Sequence, residues 1–244
     1  NVNSYYTPEG DFSNLLEEVA NIDGVKRIRY TSPHPQDINT DLLKIMSKYK
    51  NICNYIHLPL QSGSNRILKR MNRTYTQEEY LSLVDQIRMY MPNCSISTDI
   101  IVGFPGETNE EFNDTLDVVN KVNFNFSYMF KYSKRPGTKA SQFTDQISEE
   151  VKQKRLEKLI ELQKNVTLNV NKQMIGKVEK ILIEKESKKS NMFWSGRTEG
   201  NIWTIIKKNN EKIKDIVPVL INDAQGVTLF GDKIKDKETL YEVS

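Results

Sequence analysis

Cysteine is nearly missing from this chain: two in 244 residues, Cys53 and Cys94, far apart and in no metal-ligand spacing. That scarcity speaks against a disulfide scaffold, a zinc finger or a self-contained iron–sulfur site, and it suits a reducing, cytoplasmic setting. An excess of one charge is missing too. Lys plus Arg number 35 against 32 Asp plus Glu, and a net charge of +3 alone points to neither nucleic acid nor membrane. No apolar run approaches the ~20 residues that cross a bilayer, so no membrane partner is expected. The start at Asn1 has no methionine, basic region or apolar stretch of a signal peptide, and suggests a piece of a longer protein. No internal repeat or low-complexity run occurs. What remains is 37% hydrophobic and long enough for one large domain, or a medium one plus a small one, with a substantial core.

From Asp11 to about Val122 helical and strand patterns alternate. Phe12, Leu15, Leu16 and Val19 lie at helical spacing ahead of Gly24, predicting a helix over about 12–22. Val25–Tyr30 reads as a strand, 38–49 as a helix and Tyr55–Leu60 as a strand. Thr76 with Glu79, and Thr108 with Glu111, form capping boxes for two further helices, the first closed by Pro92. Ser95–Val102 and Phe124–Tyr132 read as strands. Strands alternating with amphipathic helices imply parallel βα units with right-handed crossovers. Four units do not close a barrel and look like the later part of one. Ser148 caps a long charged helix, about 149–174, ended by Gly176. Beyond it Lys177–Glu184, Ile202–Ile206, Ile216–Ile221 and Gly226–Gly231 are short strands without helices between them, as in a small all-β barrel. The domains expected are 1–174 and 175–244.

Chemistry in a barrel of parallel strands collects at the C-terminal strand ends. Those ends read Thr31-Ser32-Pro33-His34-Pro35, then His57-Leu58-Pro59-Leu60-Gln61-Ser62-Gly63. The third is Ser97-Thr98-Asp99 followed by Gly103-Phe104-Pro105-Gly106-Glu107-Thr108, and the fourth is Tyr132-Ser133 with Arg135-Pro136-Gly137-Thr138. Gly103 and Gly106 would admit a ligand close to the backbone, and Asp99 could accept hydrogen bonds from a ribose diol. Any one of these loops could equally be an ordinary turn. Four on one rim favour a cofactor-binding, incomplete α/β barrel. Both histidines sit at strand ends without a partner at metal spacing, which favours hydrogen bonding over catalysis. Cys53 and Cys94 begin strands, where small buried residues are expected rather than nucleophiles. The β-rich tail, 174–244, has 13 Lys plus Arg against 11 Asp plus Glu. Its lysines could form a solvated face, or with Phe193, Trp194, Arg197 and Trp203 could hold RNA.

The strings His57–Ser64, Met71-Asn72-Arg73, Ser97–Thr108 and Arg135-Pro136-Gly137-Thr138 resemble the radical S-adenosylmethionine methylthiotransferases. Ser195-Gly196-Arg197-Thr198-Glu199 adds a tail most similar to the tRNA branch of that family. The resemblance runs from Asn1 to about Asp232. It implies the third to sixth units of a six-stranded partial radical S-adenosylmethionine barrel, a partial parallel (β/α)6 fold, followed by a TRAM β-barrel that grips RNA. The implied activity of the full-length enzyme is methylthiolation of C2 of N6-dimethylallyladenosine beside the anticodon of tRNA. The implied cofactors are S-adenosylmethionine and two [4Fe-4S] clusters. The implied partners are the tRNA anticodon stem-loop and an electron donor, with the enzyme itself a monomer. Carried over by motif position, the cofactor-binding residues are His57, Gln61, Ser62, Ser97, Asp99, Gly103 and Phe104, and the RNA-binding residues are Lys177, Lys180, Lys188, Lys189 and Arg197. No catalytic or metal-ligating residue is assigned. The family's CxxxCxxC motif and its N-terminal cluster cysteines are absent from this sequence, so the 244 residues alone are expected to bind no cluster and to be inactive. Two other readings compete: a sister enzyme that methylthiolates an aspartate of a ribosomal protein, and a truncated, non-catalytic RNA-binding paralogue.

Overall fold

Two capping boxes start the helices that back the parallel sheet. In the computed structural model, which describes residues 2–31 and 34–234, Thr76 and Glu79 exchange side-chain and backbone hydrogen bonds at the start of one helix. Thr108 and Glu111 do the same at the other. Each box satisfies amide groups that a helix N-terminus otherwise leaves unpaired. The chain divides into two compact units, residues 1–163 and 164–244.

The first unit opens with a small hairpin, β1 (Tyr6–Thr7) and β2 (Gly10–Asp11), and then α1 (Phe12–Ala20) and α2 (Thr40–Lys48). A three-stranded parallel sheet follows, ordered β3 (Tyr55–His57), β4 (Ser95–Val102), β5 (Phe126–Lys131). Between its strands lie α3 (Asn65–Arg70), α4 (Gln77–Tyr90) and α5 (Asn109–Val122), and α6 (Glu149–Lys172) comes after it. Ile96, Thr98, Ile100 and Val102 alternate along β4 on the covered side, each at most 1% exposed. Ser97, Asp99 and Ile101 alternate on the other side, in register with Phe126, Tyr128 and Phe130 of β5. Those three aromatic side chains are exposed, so this face of the sheet is open.

Two expected strands are shortened. Val25–Tyr30 contributes a single bridge, Ile28 to Ile52, because its neighbour becomes regular strand only at Tyr55. Tyr55–Leu60 stops at His57, since Pro59 has no amide hydrogen for the ladder. The chain rejoins the sheet at Gln61, which bridges Ile100. Helix α3 was not expected from periodicity; Ser64 caps it by accepting from the Ile67 amide. Of the first strand-end loop, Ser32 and Pro33 lie outside the described residues.

In the second unit β6 (Val178–Ser187), β7 (Ser190–Arg197), β8 (Trp203–Lys207), β9 (Ile216–Gln225) and β10 (Thr228–Lys233) close a barrel ordered β10-β8-β7-β6-β9. Period-2 apolar residues fill it: Ile181 and Ile183 from β6, Val217, Val219 and Ile221 from β9, and Leu229 from β10. Strand β7 was not expected, because it carries little aliphatic character. Ser195 and Gly196 are its buried small residues, and a Cβ at Gly196 would collide with the Leu182 carbonyl oxygen on β6.

Candidate functional site

Along the open face of the sheet the polar side chains are wired together. Asp99 is an acceptor as a carboxylate, so His57 Nε2 donates to it at 3.3 Å. His57 Nδ1 then accepts from the Ser97 hydroxyl at 2.8 Å, and Ser97 Oγ accepts from the Tyr55 hydroxyl at 2.7 Å. The chain Tyr55–Ser97–His57–Asp99 therefore fixes one histidine tautomer and one carboxylate orientation. Asp99 Oδ2 is occupied in this way, while Oδ1 has no partner among the described residues. The Asp99 side chain is 29% exposed, against 13% for His57. Asp99 is the member of the chain that a ligand can reach.

Above Asp99, at the C-terminal end of the sheet, lies a cleft of about 770 Å³. Gln61, Asp99, Ile101, Phe104, Phe130 and Tyr132 form its wall, and residues 70–73 and 131–140 contribute its cationic rim. Gln61 takes a positive φ of 68°, a conformation held by two backbone hydrogen bonds, Gln61 N–H to the Asp99 carbonyl and Ile101 N–H to the Gln61 carbonyl.

The loop after β4 is built as a rigid turn. Gly103 has φ of 70°, and a side chain there would run into Lys152 Cγ of α6. Its amide donates to Glu107 Oε2 at 2.7 Å, and the same oxygen receives Arg155 Nη1 at 2.6 Å. Arg155 also donates to the Glu107 carbonyl and to Asn109 Oδ1. Burial pushes the Glu107 carboxyl above its usual range, against the pull of the Gly103 amide and Arg155. Phe104 packs edge-on to Tyr132, with ring centroids 5.1 Å apart.

Of the seven residues assigned to a cofactor from motif position, the structure brings Gln61, Asp99 and Phe104 to the cleft wall. His57 and Ser97 sit behind Asp99 as its supports. Ser62 is fully buried and accepts from the Ser64 amide, and Gly103 faces Lys152. The residues that motif reading left unassigned are Tyr55, Thr98 and the cations of the rim. Thr98 is fully buried and accepts from the Leu60 amide at 2.9 Å, repairing the ladder where Pro59 breaks it. The alternation of Phe126, Tyr128 and Phe130 was the available signal for the open face.

This donor set suits S-adenosylmethionine: a free carboxylate oxygen for a ribose diol, a side-chain amide, and apolar surface at Ile101 and Phe104 for an adenine ring. It does not suit an iron–sulfur cluster, which needs three or four thiolates. Both cysteines are buried, and burial pushes the Cys94 thiol up to about 12. Among the described residues no three His, Cys, Asp or Glu side chains group as a metal site.

On the β-barrel, Lys177, Lys180, Lys188 and Lys189 are exposed, the last two in the β6–β7 turn. Arg197 is differently placed. Its Nε and Nη2 fork onto Glu184 at 2.9 Å each, Nη1 donates to Asn201, and the guanidinium lies 4.6 Å from the centre of the Trp203 ring. The Gly-Arg-Thr string is thus largely barrel construction: Gly196 permits close strand approach, Arg197 ties β6 to β7, and Thr198 accepts from the Ile202 amide.

Comparison with known proteins matches residues 4–119 to the radical SAM superfamily and 172–234 to the TRAM domain. Curated relatives named tRNA-2-methylthio-N(6)-dimethylallyladenosine synthase are similar over nearly the whole chain. The protein of Christiangramia forsetii is 48% identical over 225 residues, 92% of this chain and 47% of its own length. That of Caldicellulosiruptor saccharolyticus is 47% identical over 237 residues, 96% of this chain and 50% of its own. The chain spans about half the length of the curated relatives it matches. Among solved structures, coproporphyrinogen III oxidase of Escherichia coli, described as a radical SAM enzyme, aligns with a TM-score of 0.47 and 16% identity over 68% of this chain and 45% of its own.

Proposed function

Because this chain belongs to the radical S-adenosylmethionine methylthiotransferases and carries their TRAM domain, we propose that it is the barrel-and-TRAM part of an enzyme that methylthiolates N6-dimethylallyladenosine in tRNA. The observation that carries this reading is the Tyr55–Ser97–His57–Asp99 chain, which delivers one fixed carboxylate to an open cleft at the strand ends. When bound, S-adenosylmethionine supplies the methyl group and the sulfonium that the family cleaves. Asp99 and Gln61 would hold it, with Phe104 and Ile101 as apolar walls. His57 keeps Asp99 oriented, so the carboxylate needs no reorganisation on binding. Glu107 and Arg155 keep the Gly103–Gly106 turn rigid, and Phe104 with Tyr132 shields one side of the cleft from water. The functional boundary is placed at 174/175, in the turn after α6. The exposed lysines 177, 180, 188 and 189 contribute phosphate contacts, with an electron donor and the cytoplasm as the remaining elements of the reading.

Deleting the gene and analysing tRNA nucleosides by mass spectrometry tests the proposal. The 2-methylthio mark on dimethylallyladenosine should vanish, the unmodified precursor should accumulate, and Asp99→Asn in the full-length gene should restore the mark poorly. Intact tRNA marks together with a lost modification on a ribosomal peptide would overturn it in favour of the sister activity.

A further inference from the structure

Five cations line the 770 Å³ cleft, against one carboxylate, Asp99, which is already turned toward His57. Two of the five are neutralised by the protein. Arg70 donates to both oxygens of Asp145 at 2.8 and 2.9 Å, and Lys131 lies 3.2 Å from Glu149. Arg73, Arg135 and Lys139 have no carboxylate partner among the described residues. Arg135 and Lys139 are exposed. Arg73 is half-buried, and its Nε is enclosed with no acceptor. A second polar atom of the same cleft, the Tyr132 hydroxyl, is likewise buried without a partner. Partly desolvated donors without acceptors are costly, and an acceptor entering the cleft would offset that cost.

We propose that Arg73, Arg135 and Lys139 form a phosphate-binding rim of the barrel cleft, which seats the sugar–phosphate backbone of the RNA around the nucleotide that enters it. The inference rests on RNA being the substrate and adds where that RNA is held. The three cations come from two separate loops, residues 71–73 and 135–139, on a wall that also carries Phe130 and Tyr132. One carboxylate, such as that of S-adenosylmethionine, needs a single fork. Cations distributed over two loops beside aromatic rings match a chain of phosphates with a base between them. The contrast with Arg197 sharpens the point: that arginine has its carboxylate, Glu184, within the protein, whereas these three have none among the described residues.

Binding of an anticodon stem-loop RNA to the full 244-residue chain, followed by fluorescence anisotropy across a salt series, tests the rim. The Arg73→Gln/Arg135→Gln/Lys139→Gln variant should bind at least tenfold more weakly at low salt. Its slope of log K against log salt should be shallower by about 2, at roughly 0.7 per lost single-strand contact. Arg135→Gln/Lys139→Gln alters exposed side chains only and should show about two thirds of that slope change, which keeps the test decisive if the Arg73 substitution unfolds the chain. Unchanged slopes in both variants overturn the proposal. So does unchanged RNA binding with weakened S-adenosylmethionine binding by calorimetry, which would assign the cations to the cofactor's carboxylate. Failure of the unaltered chain to bind the RNA overturns this rim and leaves the tRNA reading to the deletion strain. Intact tRNA marks in the deletion strain, with the rim variants still showing shallower slopes, overturn the tRNA reading alone.

Discussion

Glu111 opens α5 and holds three groups at once: the Thr108 amide, the Ser64 hydroxyl and the Arg66 guanidinium, the last through two bonds of 2.6 and 2.7 Å. Burial alone would raise its carboxyl, but Arg66 and the other donors hold it down to about 2. Its folded value lies below the unfolded one, so its contribution is whole above the ordinary carboxylate range. That contribution is lost as pH falls from 4.5 toward 2. With Arg66 half exposed, the share of stability at stake is about 2 kcal/mol. Urea titrations at pH 6 and pH 2 should show that Glu111→Gln is less stable than the unaltered chain at pH 6 by that amount and nearly equal at pH 2. A constant difference at both pH values would contradict it. Glu107 has the opposite sign, since burial raises its carboxyl and ionising it weakens the fold as pH rises. The Glu at the capping position was legible in the sequence; its bonds to Arg66 and Ser64 were not, because those residues are 45 and 47 positions away.

Elements with strong local signals formed where the pattern placed them. Both capping boxes and the strand Ser95–Val102 are local: a cap needs four residues and a strand face needs alternation. The elements that periodicity missed or overran are those decided by neighbours. Strand β3 ends early because Pro59 cannot donate, and β7 forms because β6 and β8 flank it, although its own residues carry few aliphatic side chains. Gly196 on β7 is the sharpest case, since a methyl group there meets the backbone of β6 rather than a yielding side chain. Gly196→Ala should destabilise the barrel by at least about 2 kcal/mol. Thermal unfolding of the full chain should show a lowered transition, while Gly226→Ala, at a turn glycine with open space around it but φ of 56°, should cost only the backbone strain of about 1 kcal/mol. Equal losses in the two variants would argue against close strand approach as the reason for Gly196.

At the scale of the molecule, RNA affinity is expected to be shared between the barrel unit and the TRAM unit, and the two shares can be measured separately. Lys188→Gln/Lys189→Gln should reduce the salt slope of tRNA binding by about 1–2 and leave S-adenosylmethionine binding unchanged, because both lysines are exposed in a turn of the second unit. An unchanged slope would leave them as a solvated face. Arg197 is expected to act mainly on stability, since its fork already holds Glu184. The sequence by itself carried the resemblance to the family, the order of βα units, the change to an all-β tail and the candidate loops, because those rest on local pattern and on strings of adjacent residues. It also showed that two cysteines are too few for a cluster. Only the tertiary structure decided which motif residues face the cleft, that Ser62 and Gly103 support it from behind, that Arg197 is spent within the protein, and that three cations have no carboxylate partner among the described residues. The physical reason is that exposure and charge pairing depend on residues tens of positions apart, which come together only when the chain packs.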